Sequence, residues 1–216
     1  MAINDYCAWS DVEAANPDIT WGTTYDTVGA LLVTRASRMI DTYADVEPGF
    51  FYVSADTTRW FAGTGGASLW VGRIAAAPTN VSMALTGVVD NAAGTGGTYT
   101  ALTTSDYLLW PANAVLTSDP YQRLDIAGST YTAWVAGEKT VKIVGKFGWA
   151  SSLPDEIKQA AVIEVSKQLQ RGRQGFQDTG AIVELGQMTY TQPLDPFTVA
   201  ALAPILKRLK PKKGSQ

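Results

Sequence analysis

KTVKIVGKFGWASSLPDEIKQAAVIEVSKQLQRGR, residues 139–173, is the stretch that decides the architecture. From Lys139 to Phe147 the side chains alternate. Val141, Ile143 and Phe147 fall on one side, and Thr140, Lys142 and Lys146 on the other, as a half-buried strand requires. Gly145 and Gly148 loosen the backbone around Phe147 and Trp149. Pro154 then stands where a first helical residue belongs, because its missing N–H is not needed there. Asp155 and Glu156 follow in the first turn, where the helix dipole favours acid. Ile157, Ala161, Val165 and Leu169 recur every fourth residue and form one apolar stripe. Gly172 and Gly175 are stop signals. An antiparallel β module therefore hands directly to an amphipathic helix.

Working towards the N-terminus, Ser10-Asp11-Val12-Glu13 has the pattern of a capping box, and Asn16-Pro17-Asp18 stops the helix it opens. A longer helix is predicted over 26–43, with Val28, Leu31, Leu32, Met39, Ile40 and Tyr43 as its buried face. Glu47-Pro48-Gly49 ends it. Strands are predicted at Phe50–Ser54, Thr58–Phe61, Ser68–Arg73, Asn80–Thr86, Asp106–Trp110, Tyr121–Ile126 and Lys139–Phe147, separated by Gly, Asn, Asp and Pro. The low-complexity run Asp90–Gly97 reads as a hairpin tip. Beyond the long helix, 176–192 has no clear period, with room for strands near Ala181–Leu185 and Gln187–Thr191. Asp195-Pro196 opens a last helix as cap and first residue. Its apolar stripe is Val199, Leu202, Leu206 and Leu209, and Pro204 is expected to kink or restart it.

The fold class is α+β: an antiparallel pair of long helices, an inserted small β-sandwich or barrel, and a C-terminal arm and helix. The predicted parts are 1–49 (helical core), 50–149 (β insert), 150–175 (second core helix) and 176–216 (arm, docking helix and basic tail).

Composition narrows the function. The 216 residues are 46% hydrophobic and 17% charged, with seven Trp and nine Tyr, enough for a sizeable core. No apolar run approaches the ~18 residues of a membrane span, and MAINDYCAW lacks the features of a secretory signal. The single Cys7 fits a reducing compartment. There is no histidine, which removes the commonest general base and metal ligand and every Ser–His or Cys–His pairing. Residues 1–150 hold 8 basic and 14 acidic residues, a net of −6, while 151–216 hold 9 and 6, a net of +3. A basic end on an acidic body suggests an acidic partner there, or a solvated tail.

Gly63–Gly66 and Gly94–Gly97 are not followed by a helix or a Lys-Ser/Thr pair, so they read as turns rather than phosphate cradles. Asp119 with Asp125 and Asp41 with Asp45 read as turn and cap acids rather than a hydrolytic pair. Trp60, Trp70, Trp110 and Trp134 read as core and interface anchors rather than stacking platforms. Lys158, Lys167, Arg171 and Arg173 fall on or near one helix, either as its solvated face or as a lining for nucleic-acid phosphates. The short last helix, marginal alone, needs a docking surface. Val199, Leu202, Leu206 and Leu209 with Lys207, Arg208 and Lys210 are its candidate contacts. The reach of the preceding segment favours a partner groove over the chain's own core.

Tyr6–Asp11, LLVTRASRMID (Leu31–Asp41), DYLLWP (Asp106–Pro111) with Asn113-Ala114 and Pro120-Tyr121, and above all Val141–Leu169 carry a resemblance. Gly145-Lys146-Phe147-Gly148-Trp149 followed by Leu153-Pro154-Asp155-Glu156-Ile157-Lys158-Gln159-Ala160 is similar to the junction that introduces the second long helix of the tailed-phage head–tail connector, or head-completion adaptor, family. The sequence resembles its longer, β-insert members from about Tyr6 to Leu209. The resemblance implies a structural protein of the virion neck, met in the host cytoplasm during assembly. It would form a ring, typically of twelve copies, under the portal protein. It would extend the DNA channel without sequence readout and offer a platform to the next neck, stopper or tail-completion protein. It implies no catalysis, cofactor, metal or membrane. Two other readings are a β-rich carbohydrate- or protein-binding module with helical flanks, and a histidine-free carboxylate hydrolase.

Overall fold

The structure is a computed structural model that describes residues 4–17, 24–85, 98–128, 130–173 and 194–209; of 24, 25 and 171–173 it describes the backbone only. The elements are α1 (Trp9–Ala15), α2 (Thr24–Ala44), β1 (Thr57–Gly63), β2 (Ser68–Ile74), β3 (Asn80–Met83), β4 (Thr100–Ala101), β5 (Tyr107–Trp110), α3 (Ala114–Thr117), β6 (Tyr121–Ile126), β7 (Gly137–Gly145), α4 (Asp155–Arg173) and α5 (Pro196–Leu209). They form two compact units, one of residues 1–51 with 153–216 and one of 52–152.

The second unit holds two antiparallel sheets, ordered β1-β7-β3-β4 and β2-β6-β5. Alternation along the strands turns one side of each sheet into a shared core. Leu69, Val71 and Ile74 of β2, Val81 and Met83 of β3, Leu124 of β6, and Val141 and Ile143 of β7 enclose Trp134. Phe147 lies beyond β7, as an isolated bridge partner of Ile74. Thr140, expected on the open side of β7, is buried because its hydroxyl is fully used. Its single proton is shared between the Val135 and Gly137 carbonyls (2.6 and 3.0 Å), and its oxygen accepts the Gly63 N–H (3.0 Å). Phe50–Ser54, predicted as a strand, is a turn and extended link. Phe51 is buried in the helical unit, edge-on to Tyr6 at 5.9 Å.

In the first unit α4 contacts α1, α2 and α5. Its predicted stripe is its buried face: Ile157, Ala161, Val165 and Leu169 are all inside. α2 departs from the sequence reading. Val33, Ala36, Ser37, Ile40 and Asp41 are buried, whereas Leu31 is 67% exposed, Val28 and Tyr43 are exposed, and Leu32 and Met39 are only half-buried. Small and polar side chains win the inward face because they make specific contacts. Ser37 Oγ accepts the Tyr6 N–H and donates to the Val33 carbonyl, both at 2.9 Å. Gly29 lets the Trp9 indole of α1 lie on the helix, since a Cβ there would come within 2.3 Å of the ring. The cap of α1 also differs: the Ala8 N–H donates to Asp11 Oδ2 (2.8 Å), so the expected Ser10–Glu13 box lies two residues too late.

Asp41 is the polar centre of this unit. It accepts from the Tyr6 hydroxyl on Oδ1 and from the Gly49 N–H on Oδ2 (2.9 Å), with Arg38 Nε 3.3 Å away. The Phe51 N–H donates to Tyr6 Oη (3.2 Å), so the pair fixes the turn that follows α2. Burial holds the Asp41 carboxyl above its ordinary range, outweighing these bonds, which pull it down. A carboxyl with a higher pKa folded than unfolded binds its proton more tightly in the folded chain. Its contribution is full below the unfolded value of ~4 and is lost as pH rises through the folded one. The stability of the wild type relative to Asp41→Asn should therefore be greatest at and below pH ~4 and smaller at pH 7. Urea midpoints of both chains at matched pH check this; a relative stability that grows with pH would contradict it.

Candidate assembly surfaces

The C-terminal helix starts as its sequence dictates. The Asp195 carboxylate accepts the Phe197 N–H (2.8 Å) and the Asp195 carbonyl the Val199 N–H (2.9 Å), with Pro196 at the first helical position. The helix is continuous through Pro204, whose ring is exposed, so the predicted restart does not occur.

The inward face of α5 rests on the chain's own α4, not on a partner. Leu194, Thr198, Leu202 and Ile205 are buried. Glu164 of α4, itself buried, receives the Asp195 N–H (3.2 Å) and the Thr198 hydroxyl (3.4 Å). Of the predicted stripe only Leu202 is buried; Val199, Leu206 and Leu209 are half-buried, because Thr198 and Ile205 take the inward positions. Phe197 is 75% exposed. Lys207 and Arg208 are exposed.

The cations of α4 have partners within the unit. Lys158 Nζ lies 2.8 Å from Asp11 of α1, and Lys167 Nζ 2.8 Å from Asp195 at the head of α5. Each pins a neighbouring helix to α4, and its charge is offset by that acid, which speaks against a free phosphate-binding lining at these two residues. The side chains of Arg171 and Arg173 lie outside the described residues. So do Lys210, Lys212, Lys213, the run Asp90–Gly97 and the two strands expected within 176–192.

Asp41 and Asp125, one from each carboxylate pair named in the sequence, are engaged by other groups. Asp41 is taken up by Tyr6, Gly49 and Arg38, and Asp125 by Arg123 at 2.9 Å. Among the described residues no three His, Cys, Asp or Glu come together as a metal set. No described helix is long and apolar enough to cross a membrane.

Trp60, Trp70, Trp110 and Trp134, read from the sequence as core and interface anchors, take different places in the structure. Of these four only Trp134 is enclosed, and Trp149, which follows β7, is buried as well. Trp60 projects from the four-stranded sheet, with Lys142 Nζ 6.0 Å from its ring and 5.5 Å from that of Tyr99. Trp70 and Trp110 project from the three-stranded sheet, each directly paired with Arg123 on the strand either side of β6. The Arg123 guanidinium lies 5.6 and 5.3 Å from their ring centres. The β-branched and aliphatic residues of these strands already fill the core, so the larger indoles can stand outside it. Val115 and Leu116 of α3 are strongly exposed as well. Strand periodicity alone could have separated these faces: Trp70 alternates with buried Leu69 and Val71.

No family model matches the sequence, and neither does any curated protein. Among solved structures, the whole chain superposes on 98% of a chain from the neck of an empty GTA (gene transfer agent) particle computed with C6 symmetry, at 13% identity and a TM-score of 0.55. The fold is shared with a neck protein. A chain from the neck of a native GTA particle computed with C12 symmetry also matches over all of both chains, at 16% identity and a TM-score of 0.49. The α+β arrangement of helices and antiparallel sheets is thus that of a known neck component along its full length.

Proposed function

We propose that this chain is a structural, non-enzymatic protein of the head–tail neck of a tailed phage or phage-like particle. The observation that carries this reading is the end-to-end match to a neck protein, with 100% of this chain and 98% of the other superposed. The junction residues Gly145–Ala160 support it independently. On this reading copies of the chain form a ring under the portal protein, continue the channel through which DNA passes, and present a platform to the next neck or tail-completion protein. The outer side of α5, with Phe197, Lys207 and Arg208 and the following Lys210, is the surface offered to the portal. The half-buried Val199, Leu206 and Leu209 border it. The buried face beneath is committed to α4.

The test is a mass measurement of the purified chain, alone and mixed with the portal protein of the same particle. The expected result is a portal-bound particle carrying a symmetric multiple of this chain. A chain that stays monomeric at high concentration, and that neither binds portal nor completes tailless heads, would overturn the reading.

A further inference from the structure

We infer that the outer face of the three-stranded sheet is a contact between copies of this chain, the occupant being a second copy. The inference rests on the ring reading above and adds to it the residues of one subunit contact. Trp70, Arg123 and Trp110 form one row across β2, β6 and β5, and Asp125 and Leu108 occupy two positions of the next. Trp70 is 66% exposed, Leu108 53% and Trp110 40%, while the alternate residues Leu69 and Leu124 are buried in the core. This is therefore a separate apolar surface, not the edge of the core.

Its composition is that of the centre of a protein interface. Trp and Arg are the side chains that most often dominate binding, and Lys and Glu are the ones depleted there. No lysine or glutamate occurs in the three strands. Arg123 is held in place: its guanidinium lies beside both indoles and is bonded to Asp125 at 2.9 Å, so little side-chain freedom remains to be lost on contact.

Charge selects the occupant. The chain carries a net charge of −3, so two copies repel at long range. A surface on which they meet must not add a net charge of its own. The row pair does this, because the one cation, Arg123, is cancelled by the one anion, Asp125. The face of the other sheet differs: Lys142 stands between Trp60 and Tyr99, and among the described residues no carboxylate is paired with it. An uncancelled cation suits an acidic partner, whereas a neutral aromatic face suits an identical chain.

The experiment compares the full-length wild type with Trp70→Ser/Trp110→Ser and, separately, with Leu108→Lys, which adds charge while leaving the Arg123 stack in place. Mass photometry, with and without portal, reads assembly, and circular dichroism confirms the fold. Both variants are expected to stay folded and to need about tenfold or more higher concentration to assemble, the effect of losing interface hot spots. In parallel, Trp70→Cys carrying a thiol-directed photo-cross-linker should join two copies of the chain; the native Cys7 is buried and leaves the label selective. A wild type that assembles, with variants that assemble as well as it does, overturns this inference and leaves the ring standing. A cross-link to portal or another neck protein in place of a second copy overturns the choice of occupant. A wild type that never assembles, with or without portal, overturns the ring reading itself.

Discussion

Leu202→Ala is expected to lower the unfolding free energy by about 2–5 kcal/mol, the range for removing a fully enclosed leucine. Leu202 is 0% exposed and lies on the face of α5 turned to α4. Two effects add in the loss: the transfer free energy of the missing carbons, and the cavity left where α4 and α5 cannot close up. Closure is hindered because α5 is held at its head by other bonds, from Asp195 and Thr198 to Glu164 and from Asp195 to Lys167. Removing residues 194–216 is then more damaging than the point change, since it uncovers Glu164 and the apolar side of α4 together. The measurement is the urea midpoint of each chain followed by helical circular dichroism. A truncated chain that unfolds at the wild-type midpoint would show that α5 contributes nothing to the core and exists only to reach a partner.

Trp134→Ala should be at least as costly, about 3–5 kcal/mol. Trp134 is the largest side chain wholly enclosed between the two sheets, surrounded by β2, β3, β6 and β7. Its loss leaves a void that rigid strands cannot collapse to fill. The effect should be confined to the unit of residues 52–152. The diagnostic readout is near-ultraviolet circular dichroism, which reports fixed aromatic packing, measured against denaturant beside the helical signal. Loss of the aromatic signal at lower denaturant is the expected outcome. An unchanged aromatic transition would mean that the core of this unit is built around other residues.

Local chemistry was legible in the sequence wherever one segment decides its own fate. Asp195-Pro196 opens α5, the Ile157–Leu169 stripe is the buried face of α4, and Tyr121–Ile126 is a strand with the predicted bounds. Where the outcome depends on segments far apart in the chain, periodicity misled. α2 carries two competing faces, and counting large apolar residues selects the one with Leu31. The chain instead buries Ser37 and Asp41, because Tyr6, some thirty residues earlier, needs both of them. Nothing within α2 announces Tyr6, and nothing in Trp9 announces that Gly29 will receive it. The tryptophans were read together as core and interface anchors without saying which was which, although alternation with Leu69 and Val71 already placed Trp70 outward. The candidate surfaces were half legible. Lys158 and Lys167 were found as residues, but their acids, Asp11 and Asp195, come from other helices, and only the fold brings them together.

The helical unit is discontinuous along the chain, 1–51 and 153–216, with the sheets in between. That order has a consequence for how the protein is born. On the ribosome α2 emerges with Val33, Ala36 and Ile40 bare, and α4, which must cover them, follows only after roughly a hundred further residues, or about 5–20 s at ordinary elongation rates of ~5–20 residues/s. The sheet unit is continuous and can close before α4 is complete. The nascent chain thus carries a finished domain beside an unfinished one, and for those seconds the exposed side of α2 is its most vulnerable stretch. A chaperone that holds apolar helices would be expected to cross-link to residues 33–40 on stalled chains ending near 150, and to release them once α4 and α5 are out.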